Sequence, residues 1–282
     1  MRAADAGRLT ALAAIWGASF LFVRIVAPQI GPLATADLRT LIAGVALAVY
    51  FGLVGFDPQW RTYWRSYVAV GLLTSAFPFL LYAYAALTLP AGLMSVINAT
   101  SPMWGALFSA LLLGERLTPR AAAGLIAGVV GVALVTGPGS EVPFAPLAIL
   151  AVTGACACYG FAAAYMRRWA VGVPARGMAL GTQLSAGVLL LPFALAVPPT
   201  AVPGALVIGC IAALGLVCGA VAYLLYFRLV ADIGATGALT VTYLVPLFGV
   251  LWGALFLGEA VTLLMLGGAA LVLLGTFLVL KT

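Results

Sequence analysis

Long apolar runs recur along the chain, separated by Gly/Pro pairs, charges or short polar turns. They predict ten helical spans near 9–26, 33–54, 67–88, 91–113, 120–137, 146–166, 177–197, 204–227, 235–257 and 260–280. Each approaches or exceeds the about 20 apolar residues that a helix needs to cross a hydrocarbon core. Open strands leave backbone groups unpaired in lipid, and the ~10-residue alternation of a membrane barrel is absent, so the runs read as helices. The first run follows Arg2 and Arg8 as a signal peptide would, but it continues to Val26. The apolar part of such a peptide is about 7–15 residues, so a retained first helix is expected.

Composition excludes a water-soluble globule. Of 282 residues 65% are hydrophobic and 7% charged, against roughly 25% charged in soluble domains, too few to supply a polar skin. The net charge of +6 does not point to nucleic acid, because the basic residues are scattered at the ends of apolar runs. Cys156, Cys158, Cys210 and Cys218 lie within apolar runs, with neither a CxxC pair nor a histidine, and read as packing residues. No metal or cofactor is expected.

The basic residues also set the orientation, since cytoplasmic loops are enriched in Lys and Arg. With the N-terminus inside, the inner segments hold Arg2, Arg8, Arg61, Arg65, Arg116, Arg120, Arg167, Arg168, Arg176, Arg228 and Lys281. The outer connections, near Gly31, Leu89, Glu141, Pro199 and Glu259, hold none. Arg24 and Arg39 fall in the outward halves of the first two spans. Both termini are therefore expected in the cytoplasm.

The chain repeats itself. Pro102 to Gly114-Glu115 runs parallel to Pro246 to Gly258-Glu259 at an offset of 144, with Thr118 and Thr262, Tyr82 and Tyr226, and Ala91 and Ala235 in the same register. At an offset of 143, Trp16-Gly17 and Arg24 match Tyr159-Gly160 and Arg167. Residues 1–140 and 141–282 are thus expected to form two five-helix units. Five is odd, so the second unit enters the membrane from the opposite side, the inverted arrangement from which alternating-access carriers are built.

Two five-helix units, Trp16-Gly17 in the first helix, Arg39 early in the second, and a run from Pro to Gly-Glu closing the fourth and ninth resemble the drug/metabolite transporter superfamily, specifically its EamA-type exporters. The resemblance spans nearly the whole chain. It implies a ten-helix bundle around a central cavity, with small metabolites or drugs as cargo. Within it, the YddG-like exporters of aromatic and other neutral amino acids are the nearest likeness, by general resemblance rather than by a substrate motif.

Helical spacing gathers candidate substrate-binding residues: Trp16 and Ser19 in helix 1, Tyr82 in helix 3, Ser95 and Asn98 in helix 4, Tyr159 in helix 6, Tyr223 in helix 8, and Tyr243 with Thr236 and Thr240 in helix 9. Aromatic rings offer apolar faces and can attract an ammonium group. Pro78, Pro102 and Pro246 cannot donate to the carbonyls of Thr74, Asn98 and Thr242, so they are candidate hinges. Arg24, Asp37 and Arg39 are read as an outer ion-pair cluster, a gate or an attractor for a substrate carboxylate, set against a structural pair at the interface. Trp60, Tyr63, Trp64, Tyr67 and Trp169 fit an interfacial belt. Glu115 and Glu259 are expected to anchor turns. Glycines in helix 5 (Gly124, Gly128, Gly131) and helix 10 (Gly267, Gly268, Gly275) predict either a tight internal layer or a homodimer face.

An intramembrane enzyme is excluded by the lack of histidine and of a convergent nucleophile and base. With no carboxylate near a predicted midplane, facilitated transport or exchange is expected over proton coupling, and neutral cargo over cations. The alternative is a drug or cationic-compound exporter of the same superfamily. The expected location is a bacterial inner membrane.

Overall fold

A computed structural model describes residues 2–137, 145–199 and 202–280. Ten of its helices are long and apolar enough to cross a membrane: α1 (Ala3–Ile30), α2 (Pro32–Leu53), α3 (Trp60–Ala85), α4 (Ala91–Leu113), α5 (Pro119–Thr136), α6 (Pro146–Trp169), α7 (Ala175–Ala196), α8 (Ala205–Gly234), α9 (Gly237–Leu257) and α10 (Leu263–Leu280). The described residues contain no strand. Glu141 and Lys281, both used in orienting the chain, lie outside the described residues.

Several helices outrun the apolar stretches that predict them. α1 begins at Ala3, α3 at Trp60, and α8 reaches Gly234, because turns rich in Arg, Trp and Asp continue a helix into the interfacial layer without entering hydrocarbon. At the inner face Arg8 bridges to Asp232 (2.6 Å) and to buried Asp5 (3.3 Å), and Arg228 donates to Asp232 (2.9 Å), tying the start of α1 to the end of α8.

The helices pair in matched fashion. α2 packs on α7 and α5 on α10; α1 packs on α9 while α6 packs on α4 and on the outer part of α3. One crossing recurs in detail. A Cβ on Gly17 would come within 2.7 Å of the Phe248 Cβ and 2.9 Å of the Gly249 nitrogen, and a Cβ on Gly160 within 2.5 Å of the Trp104 Cβ and 2.6 Å of the Gly105 nitrogen. The helix 5 and helix 10 glycines face each other: a Cβ on Gly131 would stand 2.7 Å from the Gly268 oxygen, and one on Gly124 2.6 Å from that of Gly275. Gly124, Gly131, Gly268 and Gly275 thus serve the α5–α10 contact, the tight internal layer of the two readings.

Gly114 and Gly258 end α4 and α9 with φ of 70° and 65°, left-handed conformations in which a Cβ would be strained. That is why each acidic residue of the repeated pair is preceded by glycine.

Candidate functional site

Both halves loosen their third helix at the same place. Residues Leu72–Ala76 of α3 and Leu216–Val221 of α8 are π-helical. Pro78 follows the first and Ala222 stands at the matched place after the second, so a proline is not required for the bulge. Such one-turn bulges widen the helix and re-aim its side chains. α4 also breaks, with turns at Ala99 and Thr100 between Asn98 and Ser101. The Asn98 carbonyl released by Pro102 is taken by the Ser101 hydroxyl at 2.7 Å, leaving the Asn98 side chain free for other work. Pro246 is buried within α9.

Around these breaks the structure collects most of the expected site. The Tyr82 hydroxyl donates to Asn98 Oδ1 (2.6 Å), Tyr82 meets Phe20 edge-on (5.5 Å between ring centroids) and stacks on Tyr159 (6.3 Å). Trp16 meets Tyr223 (6.5 Å) and Tyr226 (5.7 Å). Trp16, Asn98, Tyr159 and Tyr223 are partly exposed although they lie deep within their helices, as the lining of an internal space would be.

Other expected members are placed elsewhere. Ser19 donates to its own helix, at the Trp16 carbonyl (2.7 Å). Ser95 is fully buried between α4 and α9, donating to Gly92 (2.7 Å) and Pro246 (3.4 Å) carbonyls, and so packs helices together rather than lining a cavity. Tyr243 sits toward the inner end of α9, and among the described residues no ring contact joins it to the aromatic chain. The Thr236 side chain lies outside the described residues. Tyr67 is not interfacial: it is fully buried against Gly177 and Gly181 of α7, donating to the Pro58 carbonyl at 2.6 Å.

The expected cluster of Arg24, Asp37 and Arg39 does not form. Arg24 donates to the Ala86 carbonyl (2.6 Å), stapling α1 to the outer end of α3. Asp37 is buried with Oδ1 unpartnered. Arg39, only 8% exposed, turns inward. Its guanidinium lies 3.6 Å from the centroid of the Phe79 ring and close enough to Tyr82, Tyr159, Tyr223 and Cys218 to interact electrostatically with each. Among the described residues no ion pair or hydrogen bond engages that guanidinium. The reach of a long flexible side chain explains the difference: a residue in the outer half of α2 delivers its charge to the middle of the bundle.

Gln183 on α7 was not anticipated. It is 1% exposed, donates through Nε2 to Ser75 (3.2 Å) and Tyr223 (3.3 Å), and keeps Oε1 unpartnered. The signal was present: a lone amide side chain in the middle of an apolar span.

The bundle is shut on one side. Glu259 accepts from the amides of Ala91 (2.6 Å) and Gly92 (2.9 Å), capping α4 at the outer face, and Ser95 presses on Gly249. At the matched inner positions, a Cβ on Gly105 would find only the Gly160 Cα, at 4.0 Å, and Leu239 is 40% exposed. There Glu115 gives both carboxylate oxygens to Arg167. A cavity of about 530 Å³, lined by Arg2, Asp5, Asp232, Ile233, Gly237 and Thr240, opens at this inner face.

The EamA-like transporter family signature matches residues 9–137 and again 146–281. The chain belongs to the EamA-like transporter family. Among its relatives are the uncharacterized transporter YvbV of Bacillus subtilis, 27% identical over 96% of this chain and 90% of that protein. The uncharacterized inner membrane transporter YedA of Escherichia coli is 29% identical over 91% and 84%. A probable terminal-alkyne amino-acid exporter of Streptantibioticus cattleyicolor is 27% identical over 94% and 89%. A solved structure named only as a crystal structure of a protein shares the fold with a TM-score of 0.69 at 21% identity, covering 99% of this chain and 96% of that one. The EamA-like chain is thus a multi-pass membrane transporter, not an enzyme.

Proposed function

We propose that this EamA-like transporter exports small neutral metabolites, aromatic and other neutral amino acids foremost, across a bacterial inner membrane by alternating access between two inverted halves, 1–140 and 141–282. The observation that carries the reading is the aromatic and amide-lined centre, Trp16, Tyr82, Asn98, Tyr159 and Tyr223, gathered at paired helix breaks. The matched Gly17 and Gly160 crossings and the two π-helical turns support the inverted relation. The relative named as a probable amino-acid exporter supports the cargo class. A cationic-drug exporter is disfavoured, because the charge found at the centre is an unpaired arginine, which repels cations.

Purified protein in liposomes, offered labelled amino acids and cationic dyes, tests this. Saturable flux of neutral amino acids at least tenfold above empty liposomes is expected, with no dye flux. Transport of dyes alone overturns the reading. Proton flux in the same vesicles is expected to lack a fixed ratio to substrate.

A further inference from the structure

We infer that Arg39 and Gln183 together form a head-group subsite for a zwitterion: Arg39 for the carboxylate and Gln183 Oε1 for the ammonium of an α-amino acid. This rests on the export reading and narrows it to cargo bearing both groups on one carbon. Two observations carry it. Arg39 is a buried cation whose guanidinium lies on the face of Phe79 and, among the described residues, makes no ion pair or hydrogen bond. Gln183 is a buried amide with an orphaned acceptor. Buried charges and acceptors normally have partners, and here the two unpartnered groups come to one stretch of α3: Gln183 donates to Ser75, and the Arg39 guanidinium lies over Phe79, four residues further on. They are opposite in character, a multiple donor and an acceptor, as the two ends of a zwitterion require. One comes from each half of the chain, so the bound head group bridges the units that must move. Phe79 under the guanidinium holds its plane, and Trp16, Tyr82 and Tyr159 are left to face the side chain of the cargo.

The test uses liposomes and three probes of one shape: phenylalanine, phenethylamine, which lacks the carboxylate, and 3-phenylpropionate, which lacks the amine. Wild-type protein is expected to transport phenylalanine, with neither analogue competing below about a hundredfold higher concentration. Arg39→Gln is expected to raise KM for phenylalanine by about a hundredfold, the scale of a lost charge-assisted contact, while abolishing discrimination against phenethylamine. Arg39→Lys keeps the charge without the planar fork and is expected to recover only part of the affinity. Gln183→Glu, which keeps an acceptor, is expected to retain transport, whereas Gln183→Met is expected to lose discrimination against 3-phenylpropionate. Thermal melts of each variant in detergent separate loss of fold from loss of binding. Equal competition by phenethylamine in wild-type protein, or retained discrimination in Arg39→Gln, overturns the subsite while leaving amino-acid export standing. Absence of amino-acid flux with transport of dyes instead overturns the export reading itself.

A second inference has a separate basis. We propose that Glu115 and Glu259 are alternating latches, one closing each face. Glu259 now caps α4 at Ala91 and Gly92. The repeat matches Glu115 to Glu259 and matches Ala91 and Gly92 to Ala235 and Thr236, yet Glu115 is held by Arg167. In the outward-open state, by exchange of the two arrangements, Glu115 leaves Arg167 to cap the start of α9 as Glu259 releases α4. This rests on alternating access. Hydrogen exchange in nanodiscs, followed at 88–95 and 232–240, tests it. Glu259→Gln is expected to speed exchange at 88–95 and slow it at 232–240 by severalfold. Arg167→Ala, which frees Glu115 without touching Glu259, is expected to move both segments the same way. Faster exchange at 88–95 with 232–240 unchanged in both variants means a static cap and overturns the latch. If saturating substrate moves neither segment in wild-type protein, alternating access fails instead.

Discussion

Gly160→Val is expected to leave almost no folded protein after detergent extraction, read as loss of the monodisperse peak in size-exclusion chromatography and of a cooperative melt. A Cβ there would lie 2.5 Å from both the carbonyl carbon and the Cβ of Trp104 and 2.6 Å from the Gly105 nitrogen. These are largely backbone atoms of α4, so no side-chain rotation relieves the clash, and α6 must withdraw along its length. Overpacking costs about 1–3 kcal/mol where neighbours can shift; with a helix backbone as the obstacle the cost reaches the top of that range or beyond, comparable to a large part of typical net stability. Gly154 on the same helix supplies the control. A Cβ there meets only Leu81 Cδ1, at 3.6 Å, ordinary contact, and alanine is a better helix former than glycine by roughly 1 kcal/mol. Gly154→Ala should melt at or slightly above the wild-type temperature. Failure of both variants would show α6 to be intolerant everywhere rather than at the crossing.

Asn98→Ala should reduce amino-acid flux by about a hundredfold at unchanged protein level. The Tyr82 hydroxyl, 2.6 Å from Asn98 Oδ1, loses its oxygen acceptor and is left with the weak Cys156 sulfur at 3.7 Å, and a poorly satisfied buried group costs about 1–3 kcal/mol, with each 1.4 kcal/mol worth tenfold. Tyr82→Phe removes the donor instead and leaves Asn98, which is only partly buried, able to find water or substrate. Its loss should be nearer tenfold. Because both changes break one bond, the double variant should be no worse than Asn98→Ala alone. Additive losses, measured as initial rates in liposomes alongside melting temperatures, would mean that the two side chains meet the cargo separately.

Much of the candidate site is legible in the sequence because mid-span polar and aromatic residues are costly in lipid and therefore informative. Trp16, Tyr82, Asn98, Tyr159 and Tyr223 stand out on that ground, and in the structure Tyr82 joins Asn98 and Tyr159 while Trp16 joins Tyr223. The misplacements have particular causes. Ser95 reads as cavity-lining, but a small hydroxyl satisfied by its own helix can equally fill the narrow gap opposite Gly249. Tyr67 reads as interfacial because tyrosine favours that layer, while Gly177 and Gly181 on a distant segment create the pocket that buries it. The sparse charge of the chain suggests an uncharged centre; Arg39 is assigned to the outward half of α2 by its backbone and delivers its guanidinium to the face of Phe79.

The sequence alone determined the ten helices, through the length of its apolar runs, and the expected orientation, through the placement of arginines at their ends. It also displayed the repeat and so nominated matched breaks. These properties depend on the period and extent of burial in lipid, which are local. Only the tertiary structure decided which matched positions behave alike: Gly17 and Gly160 do, whereas Glu115 and Glu259 do not. It alone brought Arg39 onto Phe79 and Gln183 onto Ser75, neighbours on α3. Partner choice depends on distances between segments far apart in sequence and on which face of the bundle is closed, and no local pattern of residues encodes either.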